Sequence, residues 1–289
     1  MSPTLPLLKT SNPARATHVM AILNLTPDSF SDGNIHLSKD VEALEKTVQH
    51  FIKSGAAIID IGGQSTRPNA ETVSREQELE RILPAIKHIR SMPEADKIAI
   101  SVDTFYAHVA EEAIAAGADI INDVTAGEGD PLMLATAARL QKTIILMHMR
   151  GTPQTMTRLS QYPAGVIDGV GQELSKRVQA AKAAGILPWR IILDPGIGFA
   201  KTQDQNLELL RGLDELCAYK ELEGFPWVVG PSRKGFIGKI TNVANAHDRV
   251  WGTAATVTAS IKGGADIVRV HDIAEMAQVA KMADAIFRV

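Results

Sequence analysis

Three stretches of this chain align without gaps and define its repeating unit. They are Gly55-Ala56-Ala57-Ile58-Ile59-Asp60-Ile61, Gly117-Ala118-Asp119-Ile120-Ile121-Asn122-Asp123 and Gly264-Ala265-Asp266-Ile267-Val268-Arg269-Val270. In each, a glycine able to adopt the left-handed conformation closes a helix, and an apolar run then enters a strand. Strand-like runs at residues 18–24, 57–61, 98–103, 119–123, 143–148, 190–194, 226–230 and 266–270 bring the total to eight. Between them, residues 38–54 and 74–90 repeat apolar side chains at three- and four-residue spacing, and Ser74-Arg75-Glu76-Gln77 has the form of a capping box. Residues 106–116, 132–140, 166–184, 207–219, 246–262 and 274–287 supply the other helices. Strict alternation over about 270 residues predicts parallel βαβ units. Eight such units predict an α/β fold closed as a (β/α)8 barrel over residues 18–289, with its site at the carboxyl ends of the strands. A doubly wound sheet with a cap accounts less well for eight evenly spaced strand ends.

Those strand ends carry polar residues: Asn24, Asp60, Asp103, Asn122, His148, Asp194, Ser232 and His271. Asn and Asp are disfavoured within strands, so Asp103 and Asn122 need a reason. For Asp103 a local reason is helix capping, with Asp103 or Thr104 starting the following helix. For Asp194, before Pro195-Gly196-Ile197-Gly198-Phe199, it is an Asx-turn. The functional reason is a flat heterocycle. A carboxylate accepts two N–H bonds in parallel, and a carboxamide both donates and accepts. Late in the chain, Gly230-Pro231-Ser232-Arg233-Lys234-Gly235 and Arg269-Val270-His271 follow strands seven and eight, where barrels often hold phosphate. Lys234, Arg269 and His271, with Ser232, predict an anion site, whereas Arg233 reads equally well as a solvated cation. Residues 24–33 and 62–68 form long polar loops in which Phe30 and Arg67 stand out, as expected of lids that close over a substrate.

Composition narrows the function. With 45% hydrophobic and 22% charged residues the chain buries a substantial core, and a net charge of -3 with no basic run argues against nucleic acid. The single cysteine, Cys217, permits no internal disulfide and suits a reducing compartment. No apolar run approaches the roughly 20 residues of a bilayer span. Residues 1–17 contain three prolines and no acid, and read as a flexible segment. Lys9 and Arg15 give it a trace of transit-peptide character, and a linker trimmed from a longer polypeptide accounts for it equally well. The expected location is cytoplasmic, or mitochondrial in a eukaryotic source.

Taken together, residues 22–33, 60–68, 101–104, 121–123, 146–149, 194–199, 232–235 and 269–271 closely resemble the dihydropteroate synthase family of pterin-binding enzymes, from about His18 onward. The resemblance implies a Mg2+-assisted transferase of folate biosynthesis. Such an enzyme condenses 6-hydroxymethyl-7,8-dihydropterin diphosphate with 4-aminobenzoate, and sulfonamides target it. Carried over by position, Asp103, Asn122, Asp194, Phe199, Lys234 and Arg269 hold the pterin. Asn24, Arg67, Arg269 and His271 take the diphosphate, with Asn24 placing the metal. Phe30, Thr66, Arg67, Pro68, Phe199, Ser232 and Lys234 line the aminobenzoate side. Asp103, Asp194, Lys234, Asn24 and Arg269 carry the chemistry. A homodimer and fusion to other folate-pathway enzymes also follow from the resemblance. One residue departs from the pattern: Gln64 stands where many members carry Glu. Barrels that bind methylfolate share the pterin positions but accommodate no diphosphate. A pterin-binding module without activity would need neither Asn24 nor the loop after strand two.

Overall fold

The computed structural model describes residues 15–26, 40–65, 70 and 72–288. Parallel strands β1 (His18–Asn24), β2 (Ile58–Gly62), β3 (Ala99–Asp103), β4 (Ile120–Asp123), β5 (Thr143–Met147), β6 (Ile191–Asp194), β7 (Val228–Val229) and β8 (Ile267–Val270) pair in sequence order, and β1 pairs with β8. A parallel bridge between Leu193 and Trp227 joins β6 to the start of β7 and closes the barrel. The helices are α1 (Val41–Lys53), α2 (Arg75–Ser91), α3 (Ala107–Ala115), α4 (Met133–Leu140), α5 (Val166–Ala183), α6 (Gln203–Arg211), α7 (Leu213–Cys217), α8 (Gly235–Thr241), α9 (Val250–Lys262) and α10 (Ile273–Phe287). No helix among the described residues is long and apolar enough to cross a membrane.

The capping box forms as expected. The Ser74 hydroxyl accepts from Gln77 N at 3.2 Å, and the Gln77 side chain accepts from Ser74 N at 3.1 Å. The helix expected over residues 207–219 is two helices, because it breaks at Gly212, where a Cβ would stand only 2.4 Å from Ile167 Cδ1. A 3-10 turn capped by Asn245 shortens the helix expected from residue 246, which begins at Val250. The short α8 was not foreseen, since Gly235 and Gly238 make its sequence a poor helix former.

Inside the barrel, each strand contributes one residue to an apolar layer: Met20, Ile58, Ala99, Ile120, Ile145, Ile192, Val228 and Ile267. Strand side chains alternate, so the residue two further along points the same way. At that step stand Ile22, Asp60, Ser101, Asn122, Met147, Asp194, Gly230 and Arg269. The interior therefore turns from hydrocarbon to polar groups within one pleat, at the carboxyl end. Outside, β1, β2, β3 and β8 share one apolar cluster with α1, α2, α9 and α10, and β4 to β7 share another with α4 to α7. Burial at about 25 cal/mol per Å² makes these layers the main source of stability.

Candidate active site

Backbone register brings the polar residues together. Asn24 pairs with Gly62, Gly62 with Asp103, and Asp103 with Asn122, forming one row across β1 to β4. A Cβ on Gly62 would lie 3.7 Å from Asn24 Oδ1 and 3.8 Å from Asp103 Oδ2, so amide and carboxylate flank the bare glycine. From across the barrel, Arg269 donates Nε to Asp60 Oδ2 at 2.6 Å and Nη2 to Asp103 Oδ2 at 2.8 Å. Asn122 Nδ2 donates to the same Asp60 oxygen at 3.1 Å. With one N–H committed, Asn122 presents Oδ1 and its second N–H to a ligand. Asp60 is fully buried, and its Oδ1 has no hydrogen-bond partner among the described residues, nor has Ser101 Oγ.

Local readings of the strand ends fare differently. Asp103 caps nothing: α3 begins without a side-chain cap from its N-cap residue, Ala107 N donates to Asp130, and the Asp103 carboxylate faces Arg269. Asp194 does form its turn, accepting from Gly196 N at 2.7 Å, while also facing the cavity. That cavity is lined by Asp103, Asn122, Asp194, Phe199, Lys234 and Arg269, with Val124, Met147, Ile197 and Gly230 as further walls. Six residues assigned to the heterocycle from sequence thus converge on one space.

Lys234, from the loop after β7, reaches it by packing against Gly198 and Phe199 of the loop after β6. Its Nζ lies 4.1 Å from the Phe199 ring centroid, a cation–π contact. A Cβ on Gly198 would meet Lys234 Cδ at 2.8 Å, and Gly198 has φ +84°, so this position requires glycine on both counts. At the mouth, Ser232 Oγ accepts from His271 N at 3.2 Å and lies 3.0 Å from His271 Nδ1. Arg233 is not the solvated cation that was the alternative expectation: its side chain is largely buried and pairs with Asp272, and it does not line the cavity. Phe30, Thr66, Arg67 and Pro68 lie outside the described residues. The departure at Gln64 has a clear setting: its Nε2 donates at 2.9 Å to Glu78, which burial raises to about 8.

Burial raises Asp103 to about 7, against the pull of Arg269 and with the push of Asp60. It raises Asp194 to about 6, against Gly196 N–H and Lys234. Two carboxyls poised to gain or lose charge, an oriented amide and flanking cations suit a planar ligand with N–H donors. For a metal, no group of three His, Cys, Asp or Glu side chains forms a ready cage among the described residues. Mg2+ takes one or two protein oxygens plus waters and substrate phosphates, so Asn24 Oδ1 beside Asp103 suits an ion that arrives with a diphosphate.

Asp60, expected from the sequence as a polar strand end but assigned to no ligand, occupies the same position in the internal repeat as Asn122 and Arg269, the two residues it bonds. Sequence reasoning passed over Lys201, whose position just beyond the 194–199 motif carried no signal of burial.

Fold and site together define a (β/α)8 barrel enzyme that takes a flat nitrogen heterocycle at its strand ends. The model of the pterin binding enzyme family matches residues 20–271, and the chain belongs to that family. It is 52% identical to a dihydropteroate synthase of Synechocystis, over 95% of this chain and 91% of that one. It is 50% identical to a folic acid synthesis protein of Pneumocystis carinii over 94% of this chain, which spans only 36% of that longer protein. The structure superposes on a dihydropteroate synthase of Clostridium difficile determined with pteroic acid. That match has a TM-score of 0.84 and 38% identity, covering 95% of this chain and 98% of the other.

Proposed function

We propose that this chain joins 6-hydroxymethyl-7,8-dihydropterin diphosphate to 4-aminobenzoate, giving 7,8-dihydropteroate and diphosphate. The observation that carries the reading is the interlocked set Asp60, Asp103, Asn122 and Arg269 above the apolar layer, with Asp194 on the same cavity, in a member of the pterin-binding family. Asp103, Asn122 and Asp194 hold the pyrimidine edge of the pterin, Lys234 and Phe199 cover the ring, and Arg269 keeps the carboxylates in place.

The reaction is dissociative. The bond from the pterin methylene to the diphosphate oxygen breaks first, and its electrons leave with diphosphate. The methylene cation is conjugated with the ring, and Asp103 and Asp194 stabilise it electrostatically. The aryl amine then forms the new C–N bond and loses a proton. Asn24, Arg67, Arg269 and His271 surround the leaving group. When bound at Asn24, Mg2+ supplies neutralisation of the leaving charge. Phe30, Thr66, Arg67, Pro68, Ser232 and Phe199 form the aminobenzoate side, where sulfonamides compete. Two copies pair through α9 and α10, where Trp251, Met282 and Ile286 are exposed. The cytoplasm, or an organelle matrix, provides the reducing setting that Cys217 suits.

The test is to incubate the purified chain with both substrates and Mg2+ and to detect dihydropteroate by mass. Product that falls by about 10²–10³-fold in Lys234→Ala supports the reading. Pterin binding without turnover would move the chain to the binding-module reading. Because no diphosphate takes part in methyl transfer from methylfolate, aminobenzoate binding that strengthens with diphosphate also separates the synthase from those barrels.

A further inference from the structure

Behind the loop at residues 195–200 lies a chain of polar groups that does not line the cavity. Lys201 Nζ lies 2.9 Å from His148 Nδ1, 3.0 Å from Gly196 O and 3.0 Å from Phe199 O. Burial lowers Lys201 to about 7, and below that pH its ammonium has three N–H donors, each of which finds one of these acceptors. His148 must then accept on Nδ1, and its Nε2–H donates to Glu173 Oε2 at 2.9 Å. Arg150 holds Glu173 through Nε at 3.0 and 3.1 Å and stacks on Tyr162, its Cζ 3.9 Å from the ring centroid. The Tyr162 hydroxyl donates to Ala200 O at 3.2 Å. Two branches from Arg150 thus reach the carbonyls of Gly196, Phe199 and Ala200.

The loop they grip is built tightly. Gly196 has φ +68°, and a Cβ there would stand 1.9 Å from His148 O. Ala200 holds φ +50° without being glycine, an unfavourable conformation that needs outside support. The cavity face of the same loop carries Ile197 and Phe199, and its first amide fixes Asp194. A shift of the loop therefore moves a wall and a carboxylate of the site together.

We propose that Lys201 is a positioning residue for the pterin site, acting through the Gly196 and Phe199 carbonyls, with its own place set by the His148 tautomer that Glu173 and Arg150 select. The inference rests on the pterin reading of the cavity. Burial, aided by the Lys201 charge, pulls His148 down to about 4, in keeping with a neutral ring.

The first measurement needs no variant. Nitrogen shifts of His148 should show an unprotonated Nδ1 and a protonated Nε2 at pH 6, below the value of about 7 to which burial lowers Lys201, and a proton on Nδ1 would overturn the proposal. Next, calorimetry with 6-hydroxymethylpterin compares Lys201→Met with the parent. Loss of all three donors should weaken pterin binding about tenfold or more, as small displacements in a preorganised site do. Glu173→Gln, remote from the cavity, lets the amide donate to Nε2 and drives the His148 proton to Nδ1, against the ammonium. It should weaken binding in the same direction, by about threefold. Stability losses in both variants with the parent's pterin affinity would reduce Lys201 to a structural role and sink the proposal. Absence of pterin binding in the parent protein would instead strike at the site reading itself, so the two failures are distinct.

Discussion

The two layers of side chains inside this barrel stand one pleat apart on the same strands, yet they do opposite things. The lower layer is hydrocarbon from every strand, with all its members buried. The upper layer holds Asp60, Ser101, Asn122, Asp194 and Arg269, two of which keep a buried oxygen without a partner among the described residues. A folded chain gains nothing from a buried oxygen that has lost its water. The lower layer stabilises the molecule, and the upper one sets Asn122, Asp194 and Arg269 along the cavity.

Substitutions break that comparison in graded steps. Asp60→Ala should have the largest effect. It removes the shared partner of Arg269 and Asn122 and leaves a buried cation less compensated, lowering stability by about 3–5 kcal/mol in urea titration. It should also release the Asn122 amide, so pterin affinity falls with it.

Proton linkage comes next. Burial holds Asp103 near 7 and Asp194 near 6, both above their unfolded values. The folded chain therefore binds more protons than the unfolded one between about pH 4 and 7, and ligand-free stability falls as pH rises through that window. Pterin N–H donors favour the carboxylates, so affinity should move oppositely. Calorimetry should find binding about tenfold tighter at pH 8 than at pH 5.5, equivalent to about one pKa unit, with a smaller slope in Asp103→Asn.

In the lower layer, Ile120→Val should lower stability by about 1 kcal/mol and leave pterin affinity unchanged. The smallest effect belongs to Ser101→Ala. Its hydroxyl has no partner among the described residues, so thermal unfolding should show a change of less than about 0.5 kcal/mol, towards greater stability.

How much of this was readable beforehand follows from the same geometry. Seven of the eight strands begin and end within one residue of the expected runs and the short β7 within two, because β-branched runs between a glycine and a polar stop leave little freedom. The cavity's Asp103, Asn122, Asp194, Phe199, Lys234 and Arg269 were legible as strand-end chemistry together with the family resemblance. Their bonds were not. That Arg269 spans the barrel to Asp60 and Asp103 depends on strand tilt and on eightfold closure, which no local pattern encodes. Even so, equivalent positions of a repeat on strands two, four and eight should face one another once the barrel closes, so the partners of Asp60 could have been found. The kinship of Lys201 with His148 spans 53 residues and turns on one loop's carbonyls, which only coordinates reveal.

The most direct test of the division between layers is calorimetric titration of 6-hydroxymethylpterin into the parent chain, Asp194→Ala and Ile120→Val under one set of conditions. The account predicts binding to the parent, binding at least about a hundredfold weaker in Asp194→Ala with its buried charge-assisted bonds lost, and the parent's affinity in Ile120→Val. Equal affinity in the parent and Asp194→Ala would place the heterocycle elsewhere and contradict the account.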